Sequence, residues 1–246
     1  ESVGLTPVNN IVDVTNYVML ETGQPLHAFD FDLLAQHRIV VRRLGQKEEF
    51  TTLDGKTHNL DPETLMICDG EKPVAIAGVM GGGNSEISDN TSRVLLESAC
   101  FNPVSIRKTA KKTGIATDAS HRFERGVDPD GTVNALKRAL YLLTEVSGGV
   151  AAHDLIDNHP VRTAGTRIDL DIDFLNRRLG TRFDVHAVKD ILDSVEFSTE
   201  IVKSNRLHVK VPSFRVDVER PEDLSEEVAR LWGYNRIETS FPKVQA

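Results

Sequence analysis

The sequence predicts an α+β protein: a β-rich first domain with flanking helices, followed by a small helix-rich domain. Three observations lead there. Between Ile39 and Cys100 the chain reads as short alternating or fully apolar runs broken by Asp54-Gly55 and Gly81-Gly-Gly, the pattern of strands and tight turns. Helical spacing brackets that stretch, with Ile11, Val14 and Val18 before it and a long amphipathic run from about Gly131 to Val146 after it. Beyond Ala152 the periodicity fades through Asp157-Asn-His-Pro160 and Gly165, and mostly helical text follows. The domains are therefore placed at 1–155 and 163–240.

The first helix stops where Gly23 suits a left-handed position and Pro25 forbids continuation. That puts His27 on a fixed turn beside a helix carrying Thr15 and Asn16, two poor helix formers. Taken alone, Thr15 and Asn16 read most simply as bonding to local backbone, and His27 as a satisfied loop histidine. Residues 39–42, 49–53 and 65–68 are short strands. Residues 74–80 form a buried strand running into the glycines, and 93–100 a strand with Glu97 near its end. A helix follows Asn102-Pro103, and the long helix is closed by Gly148-Gly149. In the second domain, 167–172 alternates as a strand and 173–179 is a helix ended by Gly180. Val185, Val188, Ile191, Leu192 and Val195 line one face of another helix, and 207–211 is a strand. Pro221 opens a last helix with Leu224, Val228 and Leu231 as its core stripe.

With 246 residues, 39% of them hydrophobic, the chain can build real cores. A net charge of -8 argues against holding nucleic acid by bulk electrostatics, while leaving room for a local patch. Cys68 and Cys100 lack the close pairing of a zinc or redox motif, which points to a reduced, cytoplasmic setting. No apolar run approaches the roughly 20 residues of a membrane helix. Glu1-Ser-Val-Gly-Leu lacks the start of a signal peptide, and the missing initiator Met leads us to expect a piece of a longer chain.

Four places could carry chemistry. Gly78-Val-Met-Gly-Gly-Gly lacks the Lys-Ser/Thr of a phosphate loop and the dinucleotide spacing; it is either a turn needing positive φ or a place where a ligand meets bare backbone N–H groups. Glu97 follows Val94, Leu95 and Leu96, so its carboxylate either faces a partly desolvated pocket or alternates outward into water. Residues 105–125 hold six Lys or Arg against two acids, a local anion-facing surface or a solvated helix face. Asp217, Asp223, Glu226 and Glu227 gather within eleven residues, the last three on the flank opposite the core stripe. They would suit a hard cation such as Mg²⁺, but taken alone they read more simply as acids at a helix N-terminus offset by Arg220 and Arg230.

Several motifs in a fixed order carry a resemblance. Asn9-Asn-Ile-Val-Asp-Val-Thr-Asn-Tyr-Val, Gly23-Gln-Pro-Leu-His-Ala-Phe-Asp30, Val94-Leu-Leu-Glu97 and Thr117-Asp-Ala-Ser-His-Arg-Phe-Glu-Arg-Gly-Val-Asp-Pro129 resemble the editing domain of the bacterial phenylalanyl-tRNA synthetase beta subunit. Pro212-Ser-Phe-Arg-Val-Asp217 and Glu222-Asp-Leu-Ser-Glu-Glu-Val-Ala-Arg-Leu-Trp-Gly-Tyr234 resemble the small helical domain that follows it. The resemblance implies part of a cytoplasmic phenylalanine-tRNA ligase built from two alpha and two beta subunits, whose ATP-dependent synthetic site lies outside this chain.

It further implies proofreading, the hydrolysis of tyrosine wrongly esterified to tRNA(Phe). The family's pocket falls on Thr15, Asn16, Pro25, His27, Gly81, Glu97, Thr117 and Ala119, with His27 and Asn16 nearest the chemistry and Glu97 accepting the tyrosyl hydroxyl. A second sieve is useful because an apolar synthetic site rejects an added hydroxyl only about a hundredfold. The magnesium ligands fall on Asp217, Asp223, Glu226 and Glu227, at a site shared with the alpha subunit. The small domain invites a DNA-binding analogy with winged helices, but its acidic last helix would repel phosphates. The alternative is a non-catalytic tRNA-binding and subunit-interface module that edits only within the whole enzyme.

Overall fold

The computed structural model describes residues 3–160 and 165–238. The chain divides into two compact units, Glu1–Asn158 and His159–Ala246. The predicted start of the second domain at 163 and its end at 240 both lie outside the described residues.

In the first unit, α1 (Asn10–Thr22) begins where the Asn9 side chain accepts hydrogen bonds from the Ile11 and Val12 N–H groups, and ends at Gly23 with φ 77°. Eight strands follow: β1 (Leu26–Asp30), β2 (Val40–Arg43), β3 (Glu48–Thr51), β4 (Thr57–Leu60), β5 (Leu65–Cys68), β6 (Pro73–Ile76), β7 (Met80–Gly81) and β8 (Val94–Ser98). All pair antiparallel, in a sheet ordered β2-β5-β6-β7 and in two separate pairs, β3-β4 and β1-β8. Three helices complete the unit: α2 (Pro103–Thr113), α3 (Asp118–Phe123) and α4 (Thr132–Ser147). Asn102 caps α2 by accepting from Ser105 N–H, and Pro103 opens it.

Phe29, Leu34, Leu60, Met66, Ile67, Val74, Ile76 and Ile106 are fully or almost fully buried in the main core of this unit. A second, smaller core joins α1 to α4 through Val14, Val18, Ala135 and Ala139. Cys68 is buried and Cys100 exposed, both unpaired.

The structure departs from the sequence expectations at several points. His27 does not sit on a turn; it is the second residue of β1, because Pro25 stops the helix but leaves Leu26–Asp30 free to pair with β8 over five residues. The single strand predicted over 74–80 is two strands joined by a turn at Ala77–Val79, which Gly78 permits with φ 65°. That glycine is also required by packing: a Cβ there would lie 2.8 Å from Phe101 and 3.0 Å from Ile106. Strand β4 and the strand at 198–203 have no counterpart in the prediction. Helix α3, after Thr117, likewise has no counterpart among the predicted elements; it is held by a reciprocal cap between Thr117 and Ser120.

The second unit runs β9 (Arg167–Asp171), α5 (Ile172–Leu179), α6 (Val185–Asp193), β10 (Ser198–Lys203), β11 (Arg206–Lys210) and α7 (Pro221–Trp232). Its antiparallel sheet is ordered β10-β11-β9, and α7 packs on α5, α6 and β9. Leu170, Leu175, Val188, Leu192, Leu207, Leu224 and Val228 fill the core between them. Among the described residues, no helix is long and apolar enough to cross a membrane.

Candidate functional site

The β1-β8 pair is the frame of the site. Its register sets His27 directly opposite Glu97. Directly opposed residues of an antiparallel pair project from the same face with Cβ atoms about 4.5–5.5 Å apart. Both side chains accordingly line one cavity of about 100 Å³ in the first unit, with Pro25, Gly81 and Ala119. That volume is of the same order as the ~150 Å³ that accepts a single benzene ring.

Apolar groups supply most of the wall: Leu26, Ile67, Ala75, Ile76, Val79, Met80 and Phe123. These were not singled out from the sequence. Ile67, Ala75 and Ile76 sit in apolar strands that read only as core, whereas Phe123 lies one helical turn after Ala119 and would have been found had α3 been recognised.

Two ionisable groups in so apolar a cavity respond to it strongly. Desolvation lowers the His27 pKa to about 4 and raises that of Glu97 to about 7. Neither side chain has a hydrogen-bond partner among the described protein groups. At neutral pH His27 is thus an uncharged ring, and Glu97 is poised between carboxylate and acid. The His27 ring is held edge-on against Phe29, centroid to centroid 4.4 Å, and Phe29 is fully buried.

Gly81 completes this arrangement by lacking a side chain. A Cβ at that position would fall 2.7 Å from His27 Cε1 and 3.1 Å from its Nε2. The neighbouring Gly82 is not a free donor: its N–H bonds to the Val74 carbonyl at 2.8 Å, continuing the sheet.

Three of the eight pocket residues expected from sequence do not line the cavity. Thr15 is buried in α1 and its hydroxyl donates to the Val12 carbonyl at 2.8 Å, the local bond expected of a helical threonine. Asn16 is half-buried beside it. Thr117 caps α3, and its hydroxyl also donates to the Val79 carbonyl at 2.8 Å, fastening α3 to the turn between β6 and β7. It shapes the cavity by placing Ala119 and Phe123.

Residues 1–148 match the B3/4 domain model, and residues 168–234 match the tRNA synthetase B5 domain model. The phenylalanine–tRNA ligase beta subunit of Geobacter sulfurreducens is 50% identical over 245 residues, which is 100% of this chain and 31% of that protein. The beta subunit of Salinibacter ruber is 50% identical over 236 residues, 96% of this chain and 28% of that protein. That of Clostridium acetobutylicum is 42% identical over 243 residues, 99% of this chain and 31% of that protein. The chain belongs to the bacterial phenylalanyl-tRNA synthetase beta-subunit family. It spans the B3/4 editing domain and the B5 domain, and about 30% of the length of these relatives.

The acids of the B5 unit do not stand as the sequence suggested. Glu227 is not on the solvent flank of α7 but buried, at 4% exposure, accepting hydrogen bonds from Arg215 at 2.8 and 3.1 Å and from Arg230. Burial pushes its carboxyl up, yet the bonds from Arg230 and Arg215 outweigh this and hold it below the usual range. Asp217 is held low first by its hydrogen bonds from Arg215, at 2.9 and 2.7 Å. Asp223 accepts from the N–H groups of Glu219 and Arg220, both at 2.9 Å, and so caps α7. Only Glu226 of the four is exposed without a partner among the described residues.

Among the described residues no three such side chains converge as a ligand set. The four acids do not fit Mg²⁺ as this chain arranges them, since arginines and backbone amides already hold three of the four. The chain by itself is therefore expected to bind Mg²⁺ only weakly. Titration calorimetry that found tight, stoichiometric binding would show that the cation displaces Arg215.

Proposed function

We propose that the B3/4 cavity hydrolyses the ester between tyrosine and the terminal ribose of tRNA(Phe). The observation that carries this reading is the cross-strand pair of His27 and Glu97, two polar side chains without a protein partner in a small apolar cavity. The apolar walls suit an aromatic ring, and Glu97 suits the one group that distinguishes tyrosine from phenylalanine. A phenolic hydroxyl both donates and accepts, so it can bond to Glu97 as carboxylate or as acid.

In the reaction, a water oxygen attacks the ester carbonyl carbon, the bond from that carbon to the ribose oxygen breaks, and the proton shed by water ends on the ribose oxygen. With a pKa of about 4, His27 is a poor carrier of that proton near neutrality; as a neutral ring it accepts a hydrogen bond and orients the water. Asn16 would act on the terminal adenosine from the adjoining helix. No side-chain nucleophile is needed for a reaction of this class.

By the same family reading, tRNA(Phe) and the alpha subunit are the partners. By that reading Mg²⁺ at Asp217, Asp223, Glu226 and Glu227 would need the assembled enzyme, because Arg215, Arg230 and backbone N–H groups already hold three of these acids in this chain. The test of the main reading is release of free tyrosine from Tyr-tRNA(Phe), by the chain alone and by the assembled enzyme. Release by both establishes a self-sufficient hydrolase. Release only by the assembly makes this chain the module that edits within the whole, and release by neither ends the proposal.

A further inference from the structure

Helix α3 has two working sides. Ala119 and Phe123 face the cavity, whereas Thr117, Ser120 and His121 line a separate groove of about 690 Å³ between α2 and α3. The far wall of that groove carries Arg107 and Lys111, one helical turn apart on α2, both exposed and without an ion-pair partner among the described residues.

The acids at the rim do not neutralise them. Asp118 is bonded to Arg122 at 2.9 Å within α3, and Glu124 to Arg125 at 2.6 Å just after it. The other two lysines of α2 lie outside the groove lining, and Lys112 is paired with Asp61. A chain of net charge -8 thus keeps uncompensated cations at one groove whose lip, Thr117, is bonded to Val79 in the cavity wall. Spaced cations in an open groove suit a repeating anion better than a compact one.

We propose that the α2–α3 groove is the track for the sugar–phosphate backbone of the single-stranded 3′ end of the tRNA, with Arg107 and Lys111 each engaging a phosphate as the terminal ester enters the cavity. This rests on the hydrolytic reading for its choice of strand, and it adds where the strand lies and which residues hold it.

The test is binding of a short, unacylated single-stranded RNA carrying the tRNA 3′ sequence to the 246-residue chain across a range of salt. Arg107→Gln with Lys111→Gln should weaken binding about tenfold and reduce the slope of log affinity against log salt by about 1.4, at roughly 0.7 for each phosphate contact on a single strand. Lys108→Gln with Lys112→Gln removes the same charge from the same helix off the groove and should leave the slope nearly intact. Equal losses in both pairs, or no loss in the first, overturn the groove. Tyrosine release from Tyr-tRNA(Phe) by the unmodified protein is followed in parallel. If release is absent while the slope responds as expected, the groove stands and the hydrolytic reading falls. If release occurs while the slope stays unchanged, hydrolysis stands and the groove falls.

Discussion

His27→Ala in the assembled enzyme should slow hydrolysis of Tyr-tRNA(Phe) by about a hundredfold or more while leaving phenylalanine attachment unchanged. Loss of a group that orients the attacking water is of that order, because small misplacements of reacting atoms already cost about 10² in rate. Gly81→Ala should reproduce most of the effect without touching the imidazole itself. Its Cβ would lie 2.7 Å from His27 Cε1 and 2.9 Å from Leu53 Cδ1, closer than carbon atoms tolerate, so the ring and the Leu53 methyl turn aside or β7 shifts. Since the ring is the nearer contact and the end of the Leu53 side chain can turn aside, the double variant should be little worse than His27→Ala. Single-turnover deacylation and aminoacylation, measured side by side, check this. Parallel losses in both activities would reduce His27 to a structural residue packed on Phe29, and additive losses would detach Gly81 from it.

How the histidine is held explains why the sequence announced it only in part. Gly23 and Pro25 are visible punctuation, and they located the end of α1. The pairing that gives His27 its neighbour joins residues about seventy positions apart in the chain, and no local pattern in 93–100 says which strand lies opposite. Glu97 could be suspected of facing a desolvated pocket, but its cross-strand relation to His27 is a fact of register. Likewise α3 is too short for a hydrophobic period to emerge, and its stability comes from the Thr117–Ser120 cap and from Phe123 against Phe101 at 4.9 Å.

The longer helices and the second unit were easier to read because their cores follow simple periods: Leu224 and Val228 on α7, Val188 and Leu192 on α6. The same simplicity misled at Glu227. The sequence reading put it opposite the stripe, yet Glu227 lies three residues after Leu224 and four before Leu231, on the core side; the turns before α7 bring Arg215 onto it, and a buried carboxylate with two arginines is stable where a lone one would not be. Pairing of this kind depends on a residue twelve positions away and leaves no periodic trace.

Glu97 gives the second large effect, in specificity and in pH dependence. Glu97→Ala should lower the preference for Tyr-tRNA(Phe) over Phe-tRNA(Phe) by about ten- to a hundredfold, since the tyrosyl hydroxyl would then be buried without a partner, at about 1–3 kcal/mol. Glu97→Gln, which keeps a donor and an acceptor, should restore much of the preference. An unchanged ratio in the alanine variant would remove Glu97 from recognition. The glutamine variant also reads out the electrostatics of the cavity. With its pKa raised from 4.5 to about 7, folded Glu97 keeps a proton that the unfolded chain has lost, so its contribution to stability falls as pH rises from about 4.5 to about 7. His27, lowered from 6.5 to about 4, works in the opposite sense and adds stability as pH rises from about 4 to about 6.5. Across most of that window the two slopes oppose each other. Removing the falling one should make Glu97→Gln gain on the parent protein as pH climbs from about 4.5 to about 7, by up to about 3 kcal/mol at about 1.36 kcal/mol per unit. Denaturant unfolding of both proteins across this range measures the gain. A constant difference between them would mean that Glu97 is solvated in the folded state, and the apolar cavity would then no longer explain its selectivity.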